Sequence, residues 1–423
     1  MTSRALGTGV VIGRAARAVA VVLGRGALIA LAAVSARVRG ERPAVDRWLS
    51  DAVVALGPAY VKVAQLLSTR ADVLPLRWRR ALAPLHDRAR PVPSRSAVRR
   101  LRARFGGAHP VLVRAGSIAC VYRLVVPGRG VLAVKVRKPG VERALAADLA
   151  LVDAVARVVA RWPALRGAPV VEVVEQVGER VLAQLDLARE AELLDGFRDA
   201  LREVPGVFVP RVDRLLSTDD MVVMEYVDGL DRRRPGDLGE RERRAAVASA
   251  LRAVYRMLFV DGVVHCDLHP GNLYFRPDGT VVLLDAGFAV RLPDAAREKF
   301  AAFFYCLGQG DGEACADIVL STATPARGAD PVAFRADLAA LVAVHAGRRA
   351  GAFDLAAFAA GLFDAQRRHG YAADPRFAFP ILSLLVLEGT VREFDPDADF
   401  QRLARPYLTT ALMERALIGN GAR

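Results

Sequence analysis

HCDLHPGN, residues 265–272, decides how this 423-residue chain is read. Two histidines, a cysteine, an aspartate and an asparagine share eight positions. Three chemistries compete for the stretch: a metal site, a phosphate-handling loop and an ordinary polar turn. His265, Cys266 and His269 carry the nitrogen and sulfur donors that zinc prefers. No second cluster supplies a fourth ligand at a standard spacing, and zinc would leave Asp267 and Asn272 without a role.

Residues on either side favour phosphate. "LAVKV" puts Lys135 inside a β-rich run, where a buried ammonium must meet an anion or water. "VVLLD" ends on Asp285, just before Ala286 and Gly287. In order, Lys135, Asp267, Asn272 and Asp285 are the groups of a kinase-type site. The lysine pairs with the α/β-phosphates of ATP, and the loop aspartate orients or deprotonates a nucleophile. The asparagine and the strand-end aspartate hold Mg2+. Alone, "AVKV" reads as an amphipathic strand and "DAG" as a turn. The ordered set is specific, because both metal ligands must reach one ion at about 2.1 Å.

The surrounding pattern is α+β. Residues 1–43 form an apolar leader punctuated by Arg14, Arg17, Arg25 and Arg37. Arg25 divides its best apolar run, residues 16–38, into pieces shorter than the roughly 18–20 residues of a spanning helix. An amphipathic helix, on a membrane surface or on the protein's own core, is expected there. Residues 44–106 read as a helical extension, broken at Leu56–Pro58 and Val73–Pro75. Residues 107–229 read as a small sheet-bearing lobe, with a hairpin at Pro127–Gly130, helices over 141–162 and 171–203, and a short strand in "MVVMEYVDG". Residues 230–423 read as a larger helical lobe, with a helix over 239–260 and a hairpin around Arg276–Gly279. Everything beyond Arg291 reads as helix.

Composition narrows the partners. The net charge of +14 favours anions: nucleotides, phospholipid headgroups or nucleic acid. A chain this rich in Ala, Arg, Gly and Val also carries positive charge through composition bias alone. Aromatic residues are only 7% and are not interleaved with the basic ones, so no nucleic-acid partner is expected. Four scattered cysteines without a C-x-x-C pair suit a reducing, cytosol-facing setting.

"HCDLHPGN" and "LLDAG", with "LAVKVRKPGVERALAADL" (132–149) and "LGPAYVKVAQLLSTRADVLP" (56–75), resemble the ABC1/ADCK/UbiB (AarF) family of atypical kinase-like proteins. The resemblance runs from about residue 45 to 410 and takes in "YCLGQGDGEACADIV" and "LVLEGTVREFDPDADF". It implies a protein-kinase-like bilobal fold with an N-terminal helical extension. Lys62 and Gln65 match the family's K-x-G-Q motif and lie on one helical face at i and i+3. In the family that extension folds over the cleft and limits access for a protein substrate. "RAGSIACVYR" (114–123) matches the alanine-rich loop over the phosphates, which makes Ala115, Gly116 and Ser117 nucleotide contacts by resemblance. Glu225 and Tyr226 join them. Glu190 matches a family acid and is the expected partner of Lys135, and Asp186 matches the second acid of an E-x-D motif.

Departures from the family pattern carry their own expectations. Ala64 replaces the Gly of K-x-G-Q, Gln184 the first acid of E-x-D, Cys266 the Gly of H-G-D and Ala286 the Phe of D-F-G. Cys120 and Tyr122 stand where the family has Gln and His. Gly116 lets backbone N–H groups approach phosphate. Ala286 removes packing behind Asp285. The resemblance implies an ATP-binding, Mg2+-dependent kinase or ATPase that supports isoprenoid-quinone or related lipid metabolism, cytoplasmic and peripheral at the inner face of a membrane. Its expected partners are ATP, a lipid or isoprenoid-quinone precursor, and an anionic membrane surface. A catalytically silent lipid-binding scaffold is the alternative, favoured by Gln184, Ala286 and Cys120. Aminoglycoside and choline kinases share H-G-D-x-x-x-x-N and a later aspartate, but lack the extension with Lys62 and Gln65.

Overall fold

The computed structural model describes residues 95–161, 170–230, 234–269, 271–346 and 354–420, together with 51, 53–56, 60, 61 and 64. The chain divides into two compact units. One holds the described residues up to Ala191 and takes back Val212–Tyr226; the other holds Glu192–Arg211 and the chain from Val227.

The first unit is built on a four-stranded antiparallel sheet. Its strands β1 (Val111–Ala115), β2 (Ala119–Val126), β3 (Gly130–Arg137) and β5 (Met221–Glu225) lie side by side in the order β1-β2-β3-β5. The period-two rule separates its faces. Cys120, Tyr122, Leu124, Val134, Val136, Met221 and Val223 form one buried face. Helix α1 (Arg95–Arg104) covers that face with Ala97 and Leu101. The alternate residues face the other way: Lys135 lies opposite Val121 on one side and Val222 on the other. The hairpin at Pro127–Gly130 forms as the sequence predicts, with Arg129 N–H on Val126 O.

Cys120 and Tyr122 are wholly buried in this core. They pack under the sheet, and their departure from the family pattern is a matter of packing. Truncating a buried aromatic of this size costs about 3–5 kcal/mol.

Helices follow: α2 (Val141–Val159), α3 (Val170–Ala183) and α4 (Leu187–Ala200). The single helix expected over 171–203 is two. The chain breaks at Gln184–Asp186, and Asp186 restarts it by accepting the Arg189 N–H at 3.0 Å. An aspartate one residue ahead of a helix offers its carboxylate to the unpaired N–H groups of the first turn.

The second unit frames a small β region with helices. Helix α5 (Glu240–Tyr255) runs into one turn of π-helix, Arg256–Asp261, which delivers the chain to β6 (Val263–His265). Arg297 steadies that turn by donating to the Phe259 and Val260 carbonyls at 3.1 and 3.0 Å. Gly262 ends it at φ 65, where a Cβ would also press on Arg297 Cδ at 3.0 Å. Strands β7 (Leu273–Phe275) and β8 (Val281–Leu283) form the hairpin around Arg276–Gly279, and β4 (Val207–Phe208) joins β8 in parallel. Strand β9 (Ala289–Arg291) pairs with β6.

Beyond Arg291 come α6 (Asp294–Gln309), α7 (Gly312–Leu320), α8 (Pro331–His345), α9 (Leu355–Arg368), α10 (Ala378–Phe394) and α11 (Phe400–Asn420). The all-helix reading misses one feature here. Thr324–Pro325 and Tyr371–Ala372 pair as two-residue strands, too short to leave an alternating pattern.

Candidate active site

The candidate site residues fall into two constellations, one in each unit. In the first unit Lys135 projects from β3 away from the sheet core and meets Glu190 of α4. Its ammonium donates to both carboxylate oxygens, at 2.7 and 2.8 Å. The side chains are 8% and 1% exposed. Such a pair is specific in geometry and contributes little net stability, because desolvation offsets much of the attraction. Further contacts fix the start of the helix that carries Glu190. Asp186 caps it, and Arg137, two residues beyond Lys135 on the same face of β3, donates to Leu185 O at 2.6 Å and to Asp219 O at 3.4 Å. Leu187 N–H also reaches Asp219 O.

The stretch expected to cover the phosphates is mostly strand. Ala115 ends β1 and Ala119 begins β2, which leaves Gly116–Ile118 as the turn. The Gly116 N–H itself donates to Ala119 O at 2.8 Å. Ser117 sits at the tip. Glu225 closes β5 opposite Leu132, and Tyr226 donates its N–H to Val131 O. The Arg123 guanidinium lies 5.3 Å over the Tyr226 ring. Tyr226 is also the last residue of the first unit.

In the second unit the loop 265–272 hangs between β6 and β7. His265 is its hub. Nδ1 accepts the Asp267 N–H at 3.1 Å, which leaves Nε2 protonated and donating to Leu284 O at 3.1 Å. The ring lies against Phe197, 5.8 Å between centroids. Burial holds this imidazole below its ordinary pKa, against the opposing pull of the Asp267 carboxylate and the Leu284 carbonyl. Ser383 of α10 donates to His265 O at 2.7 Å.

Asn272, buried, donates its side-chain N–H2 to Asp267 O at 2.9 Å and lies 3.4 Å from Asp267 Oδ2. Its backbone carbonyl accepts the Leu284 N–H at 2.8 Å, immediately before Asp285. Asp267, Asn272 and the segment leading to Asp285 are thus tied together. Among the described residues, no donor binds Asn272 Oδ1.

Asp285 has φ 57, and is the one non-glycine with positive φ among the described residues. Aspartate tolerates this left-handed region better than most residues. Ala286 is wholly buried, Phe288 two residues on is also buried, and Phe288 O accepts the Cys266 N–H at 2.9 Å. The residues that suggested zinc are committed within the fold. Both His265 nitrogens are bonded, and the buried Cys266 thiol turns to Val264 O at 3.4 Å. His269 Nδ1 accepts the Gly271 N–H.

Lys62 and Gln65 lie outside the described residues; positions 60, 61 and 64 near them are helical. Arg137, Lys138 and Ser383 escaped the sequence reading. Nothing in their spacing marks them, since each acts through a backbone carbonyl that only the fold brings near.

A model of the ABC1 atypical kinase-like domain matches residues 88–319. This chain belongs to the ABC1 atypical kinase-like family. An uncharacterized protein of Synechocystis is 29% identical over 293 residues, covering 64% of this chain and 72% of its own. "Probable protein kinase UbiB" of Xanthomonas euvesicatoria is 28% identical over 408 residues, covering 91% and 72%. A solved Mycobacterium tuberculosis protein, in complex with erythromycin, shares the fold with TM-score 0.57 and 20% identity, covering 88% of this chain and 96% of that one. The ABC1 chain is therefore an α+β, kinase-like protein. None of its described helices is long and apolar enough to cross a membrane.

Proposed function

We propose that this chain binds Mg-ATP and acts as an atypical kinase or ATPase in isoprenoid-quinone or related lipid metabolism at a membrane surface. The observation that carries the reading is the buried, two-pronged Lys135–Glu190 pair. A carboxylate that fixes the lysine ammonium in this way is the device kinases use to aim it at the α/β-phosphates. Ser117 at the turn, and Glu225 and Tyr226 at the end of β5, are the further nucleotide contacts in this reading.

The donors proposed for the metal are all oxygens: the Asp285 carboxylate and the Asn272 amide oxygen. That fits Mg2+, which takes one or two protein oxygens and completes its shell with phosphate and water. When bound, the ion neutralises charge on the phosphate oxygens. Asp267 has the base's role: its carboxylate, anchored near Asn272, holds or takes the proton of the attacking hydroxyl or water.

An apolar partner is supported by a pocket in the second unit. Its lining is mostly apolar, Phe304, Leu307, Leu384, Leu387 and Leu408 among it, and it opens partly to solvent. A lining of this character suits an apolar group. The net charge of +14 supports attraction to anionic lipid.

Phosphate release by the full chain with Mg-ATP, with and without anionic phospholipid vesicles, tests the reading. Release that vesicles raise and Asp285→Asn abolishes is expected. No nucleotide binding and no release, even with lipid, sinks it. Steady transfer to a soluble amino sugar or alcohol points instead to a small-molecule phosphotransferase. An Asp285→Asn protein that fully supports the cellular function points to a silent scaffold.

A further inference from the structure

The turn Gly116–Ile118 is held from one side by a single residue, Lys138. The Lys138 ammonium donates to Gly116 O at 2.6 Å, and the Lys138 backbone N–H donates to Ile118 O at 2.9 Å. The two carbonyls that flank Ser117 are therefore gripped together. The Gly116 N–H closes the turn on Ala119 O. Only Ser117 is left ungripped at the tip, and its hydroxyl makes no hydrogen bond among the described residues.

Two features separate this arrangement from an ordinary surface lysine. The partner of the ammonium is a neutral carbonyl, and no carboxylate among the described residues forms an ion pair with it. A full positive charge therefore stands behind the tip of the turn. The fold does not need glycine at 116 either. Its φ is not in the left-handed region, and a Cβ there would meet only Ala119 O, at an ordinary 3.4 Å. A bare backbone that the chain itself does not require suits the close approach of another molecule.

We infer that Lys138 is a positioning residue for a nucleotide's phosphates: it fixes the Gly116–Ile118 turn so that Ser117, backed by the ammonium charge, meets phosphate oxygens. This rests on the nucleotide reading of the site and adds to it a second lysine, three positions beyond Lys135, with a different task. Lys135 is aimed by a carboxylate and addresses the nucleotide itself. Lys138 shapes the turn and supplies uncompensated charge. The role is specific to phosphate, so adenosine should not sense it.

Calorimetric titration of the full chain with Mg-ATP and with adenosine tests this, using Lys138→Met and Lys138→Arg. Lys138→Met is expected to weaken Mg-ATP about tenfold, the worth of one charge-assisted contact, and to leave adenosine unchanged. Lys138→Arg keeps a cationic donor and should stay near wild type. Amide exchange at 116–118, followed without nucleotide, should quicken in Lys138→Met alone. Unchanged Mg-ATP affinity, equal weakening of ATP and adenosine, or unchanged exchange in Lys138→Met overturns the inference. If the wild type binds no Mg-ATP, the nucleotide reading fails, while the exchange experiment still shows whether Lys138 holds the turn.

Discussion

The two constellations are held in opposite ways. Around Lys135 the organising contact is charge against charge: an ammonium and a carboxylate, both nearly removed from water. Around Asp267 the loop is organised largely by neutral hydrogen bonds, with His269 Nε2 3.7 Å from Asp267 Oδ2 beside them. A His265 ring of fixed tautomer, a Ser383 hydroxyl, the Asn272 amide and several backbone groups hold the loop. The difference follows from what each region must leave available. Lys135 can share its charge with Glu190 because its three donors allow a second anion. In the proposed roles Asp267 meets a proton and Asp285 a cation, and hydrogen bonds to backbone help to place their loop. One region is consequently brittle to charge loss, and the other to loss of hydrogen-bond shape.

The largest effect that can break this comparison lies in the charged pair. Lys135→Met should destabilise the protein by about 3–5 kcal/mol in denaturant titrations, because Glu190 is left buried without its partner. The double variant Lys135→Met/Glu190→Leu should recover most of that stability without recovering nucleotide affinity. A double variant as unstable as the single one would show that the loss does not come from an unpaired Glu190 carboxylate.

Asp285 sharpens the other side. Asp285→Asn should lower Mg2+-dependent turnover roughly a hundredfold, the scale of losing one electrostatic group in a dry site. Its melting temperature should match wild type, since asparagine also accepts positive φ. Asp285→Val should instead unfold earlier, by about 1–3 kcal/mol, because a β-branched residue resists this backbone.

Smaller again is His265→Leu. It removes the acceptor for Asp267 N–H and the donor for Leu284 O, and should cost about 1–3 kcal/mol for groups left unpaired. Turnover should fall with it, while ATP affinity changes little. Asp186 gives the smallest effect. Asp186→Ala should cost about 1 kcal/mol as a lost helix cap, and Asp186→Asn, still able to cap, should be near neutral in stability and turnover. A large loss of turnover in Asp186→Asn would give this acid a chemical role beyond the cap.

The sequence showed these regions unequally. The placement of Lys135 on a strand, of Asp267 and Asn272 on one loop and of Asp285 just past a strand was legible in the order and spacing of those residues. The hairpins at Pro127–Gly130 and Arg276–Gly279 were legible because their turns need Gly and Pro. What escaped was set by tertiary packing. Cys120 and Tyr122 looked like altered site residues, yet strand alternation sends them into the core. Gly116 marked the turn, but the bond from its N–H to Ala119 O that closes it has no mark in the sequence. The break before α4 was written in Asp186, but the apolar pattern runs through it unbroken. The buried Phe288, two positions beyond Ala286, was not marked by the motif either. Arg137 and Lys138 act on carbonyls, which a sequence does not display.

The most direct test of the central claim is calorimetric titration of ATP into the wild type, Lys135→Met/Glu190→Leu and Asp285→Asn, each with Mg2+ and with EDTA. In the proposed site the lysine addresses phosphate directly, so the double variant should bind ATP weakly in both conditions. Asp285 has the metal's role there, so Asp285→Asn should weaken binding with Mg2+ and match wild type in EDTA. A wild type that does not bind ATP, or an Asp285→Asn defect of equal size in EDTA, would contradict the account.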